Sequence, residues 1–135
     1  MKKRVLILCT GNSARSQMAE GLLRQVAGDR FEVESAGTRP SRVRPEAIAV
    51  LKELGIDISG HRSKHVDEFK GRAFDYVLTV CNNANESCPV FPGQTKRIHK
   101  AFEDPAAFQG TETERLALFR RLRDEIREYL KSFPS

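Results

Sequence analysis

The sequence predicts an α/β protein, a three-layer sandwich in which a four-stranded parallel sheet carries helices on both faces. Short apolar runs of strand length alternate along the chain with longer segments whose apolar residues recur at helical spacing. Strands that alternate with helices favour a parallel sheet, because each connecting helix packs back onto it. The chain has 135 residues. Because no internal repeat or linker divides it, we predict one domain over residues 1–135.

Four stretches have the pattern of a strand. Residues 4–8 form an apolar run bounded by a turn-forming sequence, which is typical of a buried strand. Residues 31–35 alternate apolar and polar side chains. Residues 74–80 give the third predicted strand, and residues 95–99 give a weaker fourth.

Three segments have the pattern of a helix. The first follows Arg15 and ends at Gly28, and the second begins at Pro45 and ends at Gly55. The third covers residues 112–133 and is amphipathic. The apolar residues at helical spacing in the first are Met18, Ala19, Leu22, Leu23 and Val26. Those of the second are Ala47, Ile48, Val50, Leu51 and Leu54, and those of the third are Leu116, Phe119, Leu122, Ile126, Tyr129 and Leu130.

Two of the cysteines follow predicted strands directly. Cys9 comes after the first strand and Cys81 after the third. In parallel sheets, ligands bind beyond the carboxyl ends of the strands, near the point where the strand order switches. We therefore expect both cysteines at the functional edge of the sheet.

Composition and charge exclude several classes of protein. The chain is 39% hydrophobic and 30% charged, which is ordinary for a globular domain, and no apolar run is long enough for a membrane helix. The apolar run after the basic N-terminus is too short for a signal peptide. We expect a cytoplasmic monomer that does not bind membranes. The net charge of +5 favours anionic substrates, and since no RNA-binding motif accompanies it, we expect no nucleic-acid partner.

The cysteine and histidine content favours reactive thiols over a structural framework. Three cysteines cannot all pair in one chain, and thiols stay reduced in a cytosol. The three histidines are His61, His65 and His99, and they do not combine with the cysteines in a zinc-ligand spacing. We predict no metal and no bound cofactor.

The loop after the first strand has the composition of an oxyanion site. Cys9 and Arg15 enclose five small or polar residues: Thr10, Gly11, Asn12, Ser13 and Ala14. Such residues let successive backbone N–H groups turn inward around an anion, and the following helix points its positive end at the same place. The planar guanidinium of Arg15 can bind two oxygens of a tetrahedral anion. We predict that this potential lowers the pKa of Cys9, and that Ser16 donates its hydroxyl to the thiolate.

The stretch CTGNSARSQMAEG resembles the signature loop of the low-molecular-weight protein tyrosine phosphatases, and even more that of their relatives, the thioredoxin-coupled arsenate reductases. The similarity extends over nearly the whole chain, including ESAG at 34–37, DISGHRS at 57–63 and the pair Asp104-Pro105. The resemblance implies that Cys9 is the nucleophile, Arg15 the oxyanion clamp and Asp104 the general acid. A nucleotide-binding phosphate loop is excluded because Gly-Lys-Ser/Thr is missing.

Two further cysteines distinguish the reductases from plain phosphatases. Cys81 and Cys88 enclose the polar, turn-forming segment NNANES. The resemblance implies a relay in which Cys81 attacks Cys9 and Cys88 then attacks Cys81, leaving a disulfide for thioredoxin to reduce. Arsenate is then the substrate, with phosphate or sulfate as analogues.

The alternative function is a phosphatase that hydrolyses phosphate monoesters through a Cys9 phosphoenzyme. The resemblance implies aromatic residues after Asp104-Pro105 in tyrosine phosphatases, whereas this chain continues Ala106-Ala107-Phe108, which favours a small inorganic anion. A third possibility is a non-catalytic oxyanion-binding or redox-sensing module.

One position departs from the reductase pattern. Some of these reductases hold potassium through residues that Asn12, Glu20 and Ser35 match, together with an acidic residue where this chain has Lys64. An ammonium group there could replace the charge of the metal, so we predict no potassium requirement.

Overall fold

The computed structural model describes residues 2–81, 93–105 and 108–134. Its centre is a four-stranded sheet of β1 (Lys3–Cys9), β2 (Phe31–Gly37), β3 (Tyr76–Thr79) and β4 (Lys96–His99). The strand order is β2-β1-β3-β4, and all three pairings are parallel. The predicted α/β class and the four-stranded parallel sheet are therefore confirmed.

The strand order places the carboxyl ends of β1 and β3 side by side at the switch point of the sheet. Leu8 pairs with Thr79, so the residues that follow these two strands lie next to each other. On the other side of β1, Cys9 pairs with Gly37. This pairing extends β1 and β2 beyond their predicted ends, because parallel hydrogen bonding continues up to the loops.

The described part of the chain has three α-helices beside the sheet: α1 (Arg15–Ala27), α2 (Pro45–Lys52) and α3 (Glu112–Leu130). A capping box of Thr111 and Glu114 starts α3. The second helix ends three residues before the predicted Gly55, which has a positive φ of 78° in the turn that follows. A short 3₁₀ helix, Val66–Phe69, was not predicted.

The core lies around β1, whose central residues Val5, Leu6, Ile7 and Leu8 are fully buried. Burial on both faces explains the continuous apolar run. In α3 the predicted apolar side is mostly confirmed, but Leu118 is buried while Leu116 and Tyr129 are only partly buried. None of the described helices is long and apolar enough to cross a membrane.

Candidate active site

The loop between β1 and α1 is held from outside through its carbonyl groups. The carbonyls of Thr10, Gly11 and Ser13 accept hydrogen bonds from the backbone N–H groups of Arg39, Ser41 and Arg44, at 2.8, 3.1 and 2.9 Å. Because N–H and C=O point in opposite directions across a trans peptide, carbonyls bound on the outside favour amides turned inward. No side chain caps α1 at Ala14, so the helix N-terminus is open toward the loop.

Asn12 is the buried centre of the loop. Asn12 is fully buried, and its φ of 47° lies in the left-handed region. Its Oδ1 accepts from the backbone N–H of Lys64 at 2.8 Å. Its Nδ2 donates to the hydroxyls of Ser16 at 2.8 Å and Ser35 at 3.0 Å. The side chain thus fixes the loop to α1, to β2 and to the segment at Lys64 at once.

Glycine is required where β2 passes the loop. A Cβ at Gly37 would lie 2.5 Å from the carbonyl oxygen of Thr10 and 2.9 Å from the backbone nitrogen of Asn12. Both contacts are to backbone, which cannot move aside without deforming the loop.

Cys9 lies buried at the base of this loop. Its Sγ is 2.8 Å from Ser16 Oγ and accepts from the N–H of Asn12 at 3.2 Å. Since Asn12 Nδ2 already donates to Ser16 Oγ, the hydroxyl proton of Ser16 is available to point at the sulfur. The placement of Ser16 against the sulfur therefore agrees with the sequence prediction.

The prediction of a lowered pKa for Cys9 is wrong. Burial raises the pKa of the Cys9 thiol, and this desolvation outweighs the lowering by Ser16, by the positive charge of Arg15 and by the Asn12 amide.

Arg15 and Asp104 meet at the same site. Arg15 is buried, its Nη1 donates to the carbonyl of Phe102 at 3.2 Å, and its Nη2 lies 3.6 Å from Asp104 Oδ2. Asp104 is about half exposed. The neighbouring carboxylate of Glu103 points away and pairs with Arg121 at 2.7 Å.

Cys81 lies beside the loop. Its Sγ is 3.2 Å from the Oγ1 of Thr10, the residue after Cys9, and the cysteine is buried. Cys9 and Cys81 do not form a disulfide with each other. Two other predictions fall outside the described residues. One concerns Cys88 and the segment before it, and the other concerns Ala106 and Ala107, which stand where aromatic residues are expected in a tyrosine phosphatase.

Sequence reasoning missed the role of two polar residues behind the loop. Gln17 is fully buried and donates through Nε2 to the backbone oxygen of Asn12 at 3.2 Å and to its Oδ1 at 3.1 Å. His61 Nδ1 lies 3.0 Å from Gln17 Oε1. The one sequence signal for Gln17 was its position: it lies in the first turn of the predicted helix, directly after Ser16 and before the apolar Met18.

We expected the Lys64 ammonium to replace the charge of a potassium ion near Glu20, but the structure pairs Glu20 with Arg24. Glu20 is buried, accepts from the Ser35 hydroxyl at 2.5 Å and pairs with Arg24 at 2.7 Å. The Lys64 ammonium instead donates to the carbonyl of Arg62 at 3.4 Å. Arg24, not Lys64, therefore supplies the positive charge. Among the described residues, no group of three or more His, Cys, Asp or Glu side chains is arranged to hold a metal.

Known proteins resemble this chain in both sequence and structure. The family model of the low molecular weight phosphotyrosine protein phosphatases matches residues 4–134. An arsenate reductase of Bacillus subtilis is 47% identical over 97% of this chain and 94% of its own. One of Halalkalibacterium halodurans is 46% identical over 98% and 95%. An arsenate reductase solved in a phosphate-binding state has a TM-score of 0.76 at 34% identity, covering 97% of this chain and 95% of its own. The chain therefore belongs to the low molecular weight phosphotyrosine protein phosphatase family.

Proposed function

We propose that this protein reduces arsenate to arsenite through a relay of Cys9, Cys81 and Cys88, and that thioredoxin reduces the final disulfide. The observation that carries the proposal is the second thiol at the oxyanion loop, where Cys81 Sγ lies 3.2 Å from Thr10 Oγ1. Hydrolysis of a phosphate ester needs one nucleophile and water, so a second buried thiol at this place favours redox chemistry. The similarity to arsenate reductases over nearly the full chain supports the same conclusion.

In the first step, the oxyanion enters the loop and Cys9 attacks arsenic. The inward amides of residues 10–14 and the guanidinium of Arg15 neutralise the anion. The thiol and dihydrogen arsenate form a Cys9–S–As bond and release one water, so one oxygen leaves arsenic. The departing hydroxyl needs one proton to leave as water, and the proton that Cys9 loses on attack balances it.

Asp104 is the proposed proton donor to the departing oxygen. Its carboxyl lies 3.6 Å from Arg15 Nη2, so it reaches the rim of the same loop, and its half-exposed position allows exchange of protons with solvent. Ser16 donates its hydroxyl to the sulfur of Cys9 and stabilises the thiolate at the moment of attack.

In the second step, Cys81 attacks the sulfur of Cys9. The Cys9–As bond breaks, its electron pair stays on arsenic, and a Cys9–Cys81 disulfide forms as As(V) becomes As(III). The proton of the Cys81 thiol leaves with arsenite. The Thr10 hydroxyl beside Cys81 Sγ can donate to its thiolate form.

In the third step, Cys88 attacks Cys81 and returns Cys9 to its thiol form. The Cys81–Cys88 disulfide then receives two electrons from thioredoxin by thiol–disulfide exchange. This step is proposed from the sequence alone, since Cys88 lies outside the described residues.

A second candidate function is hydrolysis of phosphate monoesters. Cys9, Arg15 and Asp104 are the groups that such a reaction needs, and the family is named for it. In this case Cys9 takes the phosphoryl group and water releases it, without any role for Cys81 or Cys88.

The test follows NADPH oxidation with thioredoxin and thioredoxin reductase after arsenate is added. We expect arsenate-dependent turnover in the parent chain and its loss in Cys88→Ser. The matched measurement is hydrolysis of para-nitrophenyl phosphate, which should survive Cys88→Ser if the fold and the loop are intact. No arsenate-dependent turnover in the parent, with intact phosphatase activity, would replace the first candidate by the second.

A further inference from the structure

We propose that Phe102 is a positioning residue for Arg15, and that Tyr129 of α3 holds Phe102 in place. The backbone carbonyl of Phe102 orients the guanidinium that binds the oxyanion, although neither aromatic side chain contacts the anion itself. The inference rests on the oxyanion binding proposed above, and it does not depend on the reduction of arsenic.

Arg15 is a charged side chain in a mostly buried place. Only 10% of its side-chain surface is exposed, and its Nη1 donates to the Phe102 carbonyl at 3.2 Å. Within the part of the chain that the structure describes, this carbonyl is the one hydrogen-bond acceptor of the guanidinium, and Asp104 supplies the one carboxylate within 4.0 Å. A buried guanidinium needs such an acceptor, because its N–H groups have lost water. The Phe102 carbonyl therefore fixes where the planar group lies.

A neutral acceptor suits this position. A carbonyl accepts a hydrogen bond without carrying a charge, so it orients the guanidinium and leaves its positive charge for an anion. The guanidinium has several N–H donors in one rigid plane, and a single bond to Phe102 leaves the others for oxygens of the anion. Asp104 Oδ2 lies farther away, at 3.6 Å from Nη2, and its side chain is about half exposed. The carbonyl is thus both the closer and the uncharged contact of Arg15.

Phe102 is held at three points. Its backbone N–H donates to the carbonyl of Val80 at 3.0 Å, which ties it to the chain directly after β3. Its ring packs edge to face against Tyr129 of α3, with ring centroids 6.1 Å apart and an interplanar angle of 70°. The Lys100 ammonium lies 5.7 Å from the ring centroid, within the range of a cation–π contact. The sheet and α3 thus both fix the residue whose carbonyl Arg15 meets.

The aromatic ring makes the position of this carbonyl depend on α3. When the N–H and the side chain of one residue are both fixed, the tetrahedral Cα sets the direction of the bond to the carbonyl carbon. Without the ring, the segment can turn about the hydrogen bond to Val80, and the Phe102 carbonyl moves away from Nη1 of Arg15. Tyr129 then acts on Arg15 only through Phe102.

Four substitutions separate positioning from packing. Phe102→Ala keeps the backbone carbonyl but removes the ring that holds it. Tyr129→Ala removes the partner ring, whereas Tyr129→Phe keeps the ring and loses only the hydroxyl. Phe133→Ala is the control for lost stability, because it removes a ring from an edge-to-face contact with Phe31 and Tyr76 at the other end of the sheet.

We expect the affinity for inorganic phosphate to fall about tenfold in Phe102→Ala, since a hydrogen bond to a charged group is worth roughly a factor of ten. In Tyr129→Ala it should fall about threefold, the order of one aromatic pair. In Tyr129→Phe and Phe133→Ala it should stay within about twofold of the parent, because the ring contact behind Phe102 is kept.

The experiment measures the inorganic phosphate concentration that halves the rate of Cys9 alkylation by iodoacetamide, followed by peptide mass spectrometry on the full chain. Thermal unfolding checks that each variant is folded. Unchanged affinity in Phe102→Ala, or an equal loss in Phe133→Ala, overturns the proposal. If Phe102→Ala does not fold, the two Tyr129 variants decide, and equal affinities in Tyr129→Ala and Tyr129→Phe overturn it.

A second background separates Arg15 from Asp104, which lies on the same segment as Phe102. In Asp104→Asn, Phe102→Ala should cause the same loss of phosphate affinity, because the effect passes through Arg15. Disappearance of the loss in this background would assign it to Asp104 and overturn the proposal. Absence of phosphate protection in the parent contradicts both oxyanion binding and this inference, whereas protection without arsenate turnover contradicts only the reduction.

Discussion

The two ends of the sheet are stabilised by different means. At the carboxyl end, Asn12, Ser16 and Ser35 are fully buried and joined by hydrogen bonds. At the amino end, Phe31, Tyr76 and Phe133 pack edge to face, with ring centroids 5.6 to 6.1 Å apart. The first end holds a backbone conformation, and the second buries apolar surface.

The polar network at the carboxyl end and the aromatic cluster at the amino end contribute differently to activity and to stability. Buried polar groups contribute little net stability, but a satisfied network fixes one geometry. Aromatic burial stabilises without directing any chemistry. We therefore expect substitutions at the carboxyl end to change activity more than stability, and substitutions at the amino end to do the reverse.

The largest effect is expected at the nucleophile. Cys9→Ser should lower both arsenate reduction and phosphatase activity by on the order of 10³-fold or more, because a hydroxyl replaces the thiol that is proposed to attack arsenic or phosphorus. Steady-state assays of both activities measure this. The thermal unfolding temperature should change little, and a variant that keeps a tenth of the parent activity would contradict the assignment of Cys9.

The amino end should respond in the opposite way. Phe133→Ala should lower the free energy of unfolding by about 3–5 kcal/mol, because a buried ring leaves a cavity among Phe31 and Tyr76. Urea denaturation measures the loss. At a temperature where the variant is folded, kcat/KM should stay within about twofold of the parent, and a large drop in kcat would break the comparison.

Asp104→Asn should lower kcat by about 10²-fold, as expected when a general acid is removed. The amide keeps the shape of the side chain beside Arg15 but has no acidic proton to transfer. Because Glu103 pairs with Arg121 outside the site, Glu103→Gln is the matched control and should leave kcat unchanged. Equal effects of the two substitutions would remove Asp104 from its proposed role.

Ser16→Ala should raise the pKa of Cys9 further. The lost hydroxyl stabilises the thiolate and not the thiol, so its removal shifts the alkylation profile of Cys9 to higher pH. A hydrogen bond to a charged group is worth about 1.5 kcal/mol, so its loss should slow alkylation at neutral pH about tenfold. The rate of iodoacetamide labelling against pH measures this.

Ser35→Ala is the control for that substitution. Ser35 bonds to the same Asn12 amide, but its proton points to Glu20 and not to the sulfur. Its profile should move less than that of Ser16→Ala. A larger shift in Ser35→Ala would indicate that loop conformation, and not the direct hydrogen bond, sets the reactivity of Cys9.

Much of the fold was predictable because each element has a strong local pattern. The apolar run of β1 and the amphipathic pattern of α3 are such signals, and the ends of both elements were predicted to within a few residues. The 3₁₀ helix Val66–Phe69 was missed because its four residues have no period to detect. The extension of β2 to Gly37 depends on pairing with β1, which local sequence does not reveal.

The candidate site was predictable where its residues are consecutive. Cys9, Arg15 and the loop between them lie within seven positions, so composition alone indicated an anion site. The pKa of Cys9 was predicted in the wrong direction because burial, which depends on the whole fold, outweighs the local positive charge. The link from His61 to Gln17 spans 44 positions, and only the folded chain brings these side chains together.

The central claim is that arsenate oxidises the thiols of this chain directly. One turnover without thioredoxin tests it most directly, by mixing the fully reduced chain with excess arsenate, then counting arsenite and free thiols and mapping disulfides. We expect one arsenite and the loss of two thiols per chain, with the bridge between Cys81 and Cys88, and a Cys9–Cys81 bridge in Cys88→Ser. Thiols that stay intact while the chain still hydrolyses a phosphate ester would contradict the account.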